Sequence, residues 1–214
     1  IKYSSSSYIP FKLRHKVILS NFRVQHQLRA KIENILERNN YQKYPKNEET
    51  DPFEQKNKND LDHLFWKQTG RRHYPDYYKR LGRSMICNAA GGTIQKSIAN
   101  NNDILSRVLS KVESKFNFLN YDRVFQFDSW RFWESLVSGC CTLHVDFEKY
   151  GAKLPIMPVN GIHYVGIDID NPSKAINTLT NVDQIEQISN NGRKWVLENC
   201  SPSAITKRFL ELIK

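Results

Sequence analysis

Four short apolar runs, separated by segments of helical periodicity, leave few folds open to this chain. They lie at residues 16–20, 84–89, 141–145 and 163–167. Continuous apolar runs of this length read as strands buried on both faces, the signature of a parallel sheet. Leu28, Ile32, Ile35 and Leu36 recur at helical spacing within 24–38, with the charged residues expected on the opposite face. A second helix is expected at 76–82, carrying Tyr77, Tyr78 and Leu81, with Pro75 near its start. Strands alternating with helices predict an α/β fold, a Rossmann-like parallel sheet with helices on both faces.

The remaining segments fit around that frame. Residues 1–14 are Ser-rich and contain Pro10, and read as a linker or the remnant of a preceding lobe; 15–214 then form one domain. A solvated loop is expected at 39–59, and a helical turn at 60–66. Residues 93–123 read as a helical insertion, with Asn100 to Asp103 capping a helix that runs to about Phe116. Residues 147–158 read as a loop, followed by the 163–167 strand and a short helix capped by Asn171 and opened by Pro172. A helix over 182–198 is expected to weaken at Asn190-Asn191-Gly192. Ser201 and Pro202 start the last helix, which carries Ile205, Phe209, Leu210, Leu212 and Ile213.

The segment richest in chemistry is 127–140, Phe-Asp-Ser-Trp-Arg-Phe-Trp-Glu-Ser-Leu-Val-Ser-Gly-Cys. Asp128 or Ser129 can cap a short helix, Gly139 ends it, and the 141–145 strand follows. A helix start beside a buried strand offers free N–H groups and a positive dipole end to a phosphate. Arg131 in the first turn adds a planar fork of donors. Glu134, three residues on, can accept hydrogen bonds from a ribose diol. Trp130 and Trp133 supply flat surfaces for packing or stacking. Arg131 and Glu134 can equally pair with each other across one turn, with Trp130, Trp133 and Val137 as core.

The chain carries 32 Lys and Arg against 22 Asp and Glu, a net charge of +10. That favours anionic partners, whether nucleic acid, an anionic membrane surface or a phosphate-bearing small molecule, without choosing among them. Its 39% hydrophobic content supports a real core. Cys87, Cys140, Cys141 and Cys200 show no metal-ligand spacing and read as reduced, buried thiols. No apolar run reaches the ~18 residues of a membrane span.

The 128–141 segment with its following strand resembles the donor-site segment of GT-B glycosyltransferases. Residues 78–87 are similar to the helix and strand that precede it in that family. Gly161 to Val165, the Asn171-Pro172 helix and Asn191-Gly192-Arg193 are similar to its closing pattern. The likeness runs from about Lys16 to the end. It lies with the C-terminal, nucleotide-sugar-binding lobe of the group-1-like, spore-maturation-type and O-glucosyltransferase-like branches. It implies one GT-B lobe and a metal-independent hexosyltransferase acting without a cofactor. The donor is a nucleotide sugar and the acceptor an unspecified glycan, lipid or protein. The location implied is cytoplasmic, peripheral at a membrane surface. Glu134 matches the carboxylate that holds the nucleotide ribose. Arg131 matches the basic catalytic group near the donor diphosphate. Gly91 and Gly92 fall at the loop that approaches the donor, beside Asp128, Ser129 and Trp130. Many family members carry a second carboxylate eight residues before the first; here that position is Gln126, and Asp128 is the nearest substitute. Enzymes of this family have a second Rossmann-like lobe, which supplies the usual catalytic base, and the resemblance implies that it lies outside these residues.

Rival signals are weaker. Asp60-Leu61-Asp62 and Asp168-Ile169-Asp170 fit a metal-binding Asp-x-Asp pattern, but the second reads better as a strand end leading into the Asn171-Pro172 helix cap, and no metal is expected. His144 and His163 read as core or packing residues. Arg71-Arg72-His73-Tyr74, with Tyr77 and Tyr78, is basic and aromatic enough to bind single-stranded nucleic acid, or an acidic polymer, by charge and stacking. No nucleic-acid motif accompanies it. A degenerate, non-catalytic lobe is the third alternative, motivated by Gln126.

Overall fold

A computed structural model describes residues 9–20, 26–44, 75–95, 123–125 and 129–213. Four parallel strands form the central sheet in the order β1-β2-β5-β6. They are β1 (His15–Leu19), β2 (Ser84–Asn88), β5 (Cys141–Val145) and β6 (Val165–Ile167). Ile18 pairs with Ile86, Ile86 with Cys141, and Leu143 with Val165. The architecture is thus the expected α/β, Rossmann-like one. The helices are α1 (Gln27–Arg38), α2 (Pro75–Arg83), α3 (Trp130–Val137), α4 (Ser173–Thr180), α5 (Val182–Cys200) and α6 (Pro202–Leu212).

Alternation along β5 divides the core in two. Cys141, Leu143 and Val145 join Leu28, Ile32 and Leu36 of α1, and Ala175 and Leu179 of α4, on one face. On the other face lie Tyr77, Tyr78 and Leu81 of α2 with Phe132, Leu136 and Val137 of α3. Phe132 sits fully buried among the rings of His144, Phe147 and Tyr164, at centroid distances of 5.0–5.7 Å. Helix α5 serves both faces, with Ile185 and Ile188 in the first cluster and Trp195 and Val196 in the second. It crosses at the foot of α3, where Ser189 Oγ donates to the Gly139 carbonyl at 2.7 Å and Arg193 Nε to that of Val137 at 3.2 Å.

Several expectations are revised. Helix α5 is continuous through Asn190-Asn191-Gly192, because Gly192 lets it approach the chain at His163 closely. Residues 93–123 do not begin or end as helix: β3 (Thr93–Gln95) pairs antiparallel with β4 (Arg123–Phe125). The interior of that insertion, with the helix expected from Asn100, lies outside the described residues, as do 45–74. The expected loop at 39–59 opens with extended chain beside β1: Ile18 N–H donates to the Gln42 carbonyl and Tyr44 N–H to that of Ile18, both at 2.9 Å. His163 belongs to a turn and Tyr164 to an isolated bridge with Asn160, so β6 starts only at Val165. Phe11 and Arg14, at the end of the stretch read as a linker, are buried. Arg14 donates to the Ser138 carbonyl at 2.7 Å, placing a cation at the negative end of α3.

Candidate functional site

The sheet's connectivity locates a crevice. From β1 the chain passes through α1 to Lys43, on the side of β1 opposite β2, and returns through α2 to β2. Neighbouring connections therefore diverge between β1 and β2. In open α/β sheets ligands bind at such a switch point, beyond the carboxyl ends of the strands. Ser20 follows β1 there, and residues 89–92 follow β2.

Two helices are tied to the turn after β2. Leu28 N–H, in the first turn of α1, donates to the Gly92 carbonyl at 3.4 Å. Ser129 Oγ, at the start of α3, donates to the Ala89 carbonyl at 3.0 Å. Gly92 has φ +124°, a backbone state that suits glycine. Ser129 occupies the cap position of α3, but its hydroxyl makes no bond to the helix's own N–H groups. It serves as a strap to β2 instead, a correction to its expected capping role. Asp128 and Gln126 lie outside the described residues. Neither α1 nor α3 has an acidic residue in its first turn, whereas each has an arginine near its start, Arg29 and Arg131.

Arg131 and Glu134 pair with each other, Nη1 to Oε2, at 3.1 Å, with side chains 20% and 12% exposed. Around them stand the first residues of α2. Tyr77 Oη donates to Glu134 Oε2 at 2.8 Å, and Tyr78 Oη to Oε1 at 3.3 Å. The Arg131 guanidinium lies 4.3 Å from the Tyr77 ring centroid. Burial opposes the charge of Arg131, but Tyr77 and Glu134 outweigh it and hold the guanidinium above its ordinary value. Burial, reinforced by Glu134, pushes the Tyr77 phenol well up, so it stays a donor at neutral pH. Trp130 is 70% exposed beside this cluster. Trp133 instead stacks on Trp195 at 6.0 Å, which makes it a packing residue.

A second polar group lies beneath the switch point and was missed in the sequence. Ser20 Oγ donates to Glu33 Oε1, Lys43 Nζ to Glu33 Oε2 at 3.3 Å, and Asn88 Nδ2 to Ser20 Oγ at 3.1 Å. Arg29 is 2% exposed, and burial lowers its pKa to about 10. The charges of α1 were expected to face away from the apolar stripe. Arg29 and Glu33 sit one residue after Leu28 and Ile32, about 100° round the helix, which brings them beside the stripe and into the interior.

The rival signals change accordingly. Tyr77 and Tyr78 are 3% and 5% exposed, so neither ring can stack on a base; Arg71 to Tyr74 and Asp60 to Asp62 lie outside the described residues. Asp168 pairs with Lys149 and accepts from Asp170 N–H at 3.0 Å, while the cap position of α4 is Pro172 and no side chain caps the helix, which corrects the capping expected of Asn171. Among the described residues no group of three or more His, Cys, Asp or Glu is placed to hold a metal ion, and no helix is long and apolar enough to cross a membrane. All four cysteines are free thiols. His163 Nδ1 accepts from Val159 N–H at 2.9 Å, and its ring stacks on Trp195. No family model, curated protein or solved structure matches the chain.

Proposed function

We propose that this chain is the donor-binding lobe of a GT-B-type glycosyltransferase, which moves a sugar from a nucleotide sugar to an acceptor hydroxyl. The observation that carries the reading is the Arg131–Glu134 pair on α3. It stands where that helix is strapped to the turn after β2, on the strand-end side of a parallel sheet. A nucleotide sugar presents a dianionic diphosphate and a ribose diol a few ångströms apart. One cation and one carboxylate a single helical turn apart match those two groups.

In the transfer step the acceptor oxygen bonds to the sugar's anomeric carbon while the bond from that carbon to the diphosphate oxygen breaks. The departing oxygen gathers negative charge, and the acceptor's proton passes to the base of the second lobe that the resemblance implies. Arg131 and the first N–H groups of α3 would stabilise the charge on the leaving group. Glu134 would accept from the ribose. At present the two side chains satisfy each other at 3.1 Å, so a bound donor would compete for both. Trp130 offers an exposed flat surface for the base or sugar. A thermal-shift screen against nucleotide sugars tests the reading. At least one member is expected to raise the melting temperature, and a flat response to nucleotide sugars of every base contradicts it.

A further inference from the structure

The carboxylate of Glu134 is gripped from a different helix than its own. Tyr77 holds Oε2 at 2.8 Å and Tyr78 holds Oε1 at 3.3 Å, both from the first turn of α2. The terminal torsion of a glutamate is broad and soft, so a carboxylate bonded through one oxygen alone still swings. Donors on both oxygens fix its plane. Phenols achieve this without adding a second cation to Arg131, leaving the group a strong acceptor. Tyr77 also carries the Arg131 guanidinium on its ring face at 4.3 Å, so one buried side chain fixes both members of the pair. The two rings brace each other edge to face, 5.0 Å between centroids.

We infer that Tyr77 and Tyr78 are positioning residues that orient Glu134 to read a ribose hydroxyl, and so make the site select ribonucleotide over deoxyribonucleotide donors. This rests on the donor-binding reading above. A carboxylate repels phosphate and accepts from hydroxyls, so the selectivity it gives belongs to the sugar and not to the diphosphate. Hydrogen bonds to charged groups reward a fixed geometry. A carboxylate set free to rotate loses its preference for one hydroxyl before it loses affinity for the rest of the ligand.

Calorimetry with ribonucleoside diphosphates and their 2′-deoxy and 3′-deoxy counterparts tests the inference. The unaltered chain is expected to prefer the ribose form by about tenfold or more over one of the deoxy forms. Tyr77→Phe is expected to compress that ratio to about twofold, with binding of the deoxy form little changed. Tyr78→Phe, which loses the longer bond, should compress it less, and it decides the matter if Tyr77→Phe does not fold. An unchanged ratio in folded variants overturns the inference, as does an equal loss for both forms, the mark of a merely structural role. Failure of the unaltered chain to bind any ribonucleoside diphosphate overturns the donor-binding reading itself, and this inference with it.

Discussion

Gly192 of α5 lies so close to the chain at His163 that a Cβ on it would stand 2.2 Å from the His163 carbonyl oxygen and 2.8 Å from Leu136 Cδ2. That contact seats α5 against α3 and the turn before β6. On an exposed helix, replacing glycine by alanine stabilises by about 1 kcal/mol. Here backbone blocks the added methyl, and the sign reverses. Gly192→Ala is expected to destabilise by about 2–3 kcal/mol, read from the urea midpoint. An unchanged or raised midpoint contradicts the packing described.

The polar group beneath the switch point is expected to behave as one unit. Ser20→Ala removes the hydroxyl that donates to Glu33 and accepts from Asn88, leaving both polar groups in a buried setting. A loss of about 1–3 kcal/mol in unfolding free energy is expected. Additive losses in a Ser20→Ala and Asn88→Ala double-mutant cycle would show that the two are not coupled.

His144 gives the fold a pH dependence. Its ring is fully buried beside Phe132 and Phe147, and that burial lowers its pKa from 6.5 to about 3. Between those values the unfolded chain binds a proton that the folded chain refuses. Stability present above pH 6.5 is therefore lost as pH falls through this window, at about 1 kcal/mol per pH unit. His144→Leu is expected to lose less stability than the unaltered chain between pH 7 and pH 5, measured by denaturant unfolding. Parallel declines contradict the assignment.

Neighbouring aromatic residues on α3 should separate cleanly. Phe132 is fully buried, and Phe132→Ala is expected to cost about 3–5 kcal/mol. Trp130 is mostly exposed, and Trp130→Ala should leave stability within about 0.5 kcal/mol while weakening nucleotide binding. A large stability loss at Trp130 would make it a packing residue.

Much of this was legible in the residues. Strands β2 and β5 were readable because both faces are covered and every residue is buried, and β1 because Ile18 and Leu19 at its end enter the two core clusters. The α3 segment was readable because an amphipathic helix, a Gly139 stop at φ +70° and an apolar strand follow one another locally. What escaped depends on contacts distant in sequence. β3 and β4 pair across 27 intervening residues, a relation no local pattern carries. Gly192 reads as a helix breaker until the chain at His163 is seen against it. At the site, the Arg131–Glu134 spacing was visible, and so was the chance of their pairing. The grip of Tyr77 and Tyr78 was not, since tyrosines at helical spacing read as ordinary core.

The most direct measurement is calorimetric titration of the chain with nucleoside diphosphates and nucleotide sugars, repeated with Arg131→Ala and Glu134→Gln. Saturable binding to at least one of them is expected, weakened about tenfold or more in each folded variant. Absence of binding throughout, or binding that both substitutions leave unaltered, would contradict a donor site on α3.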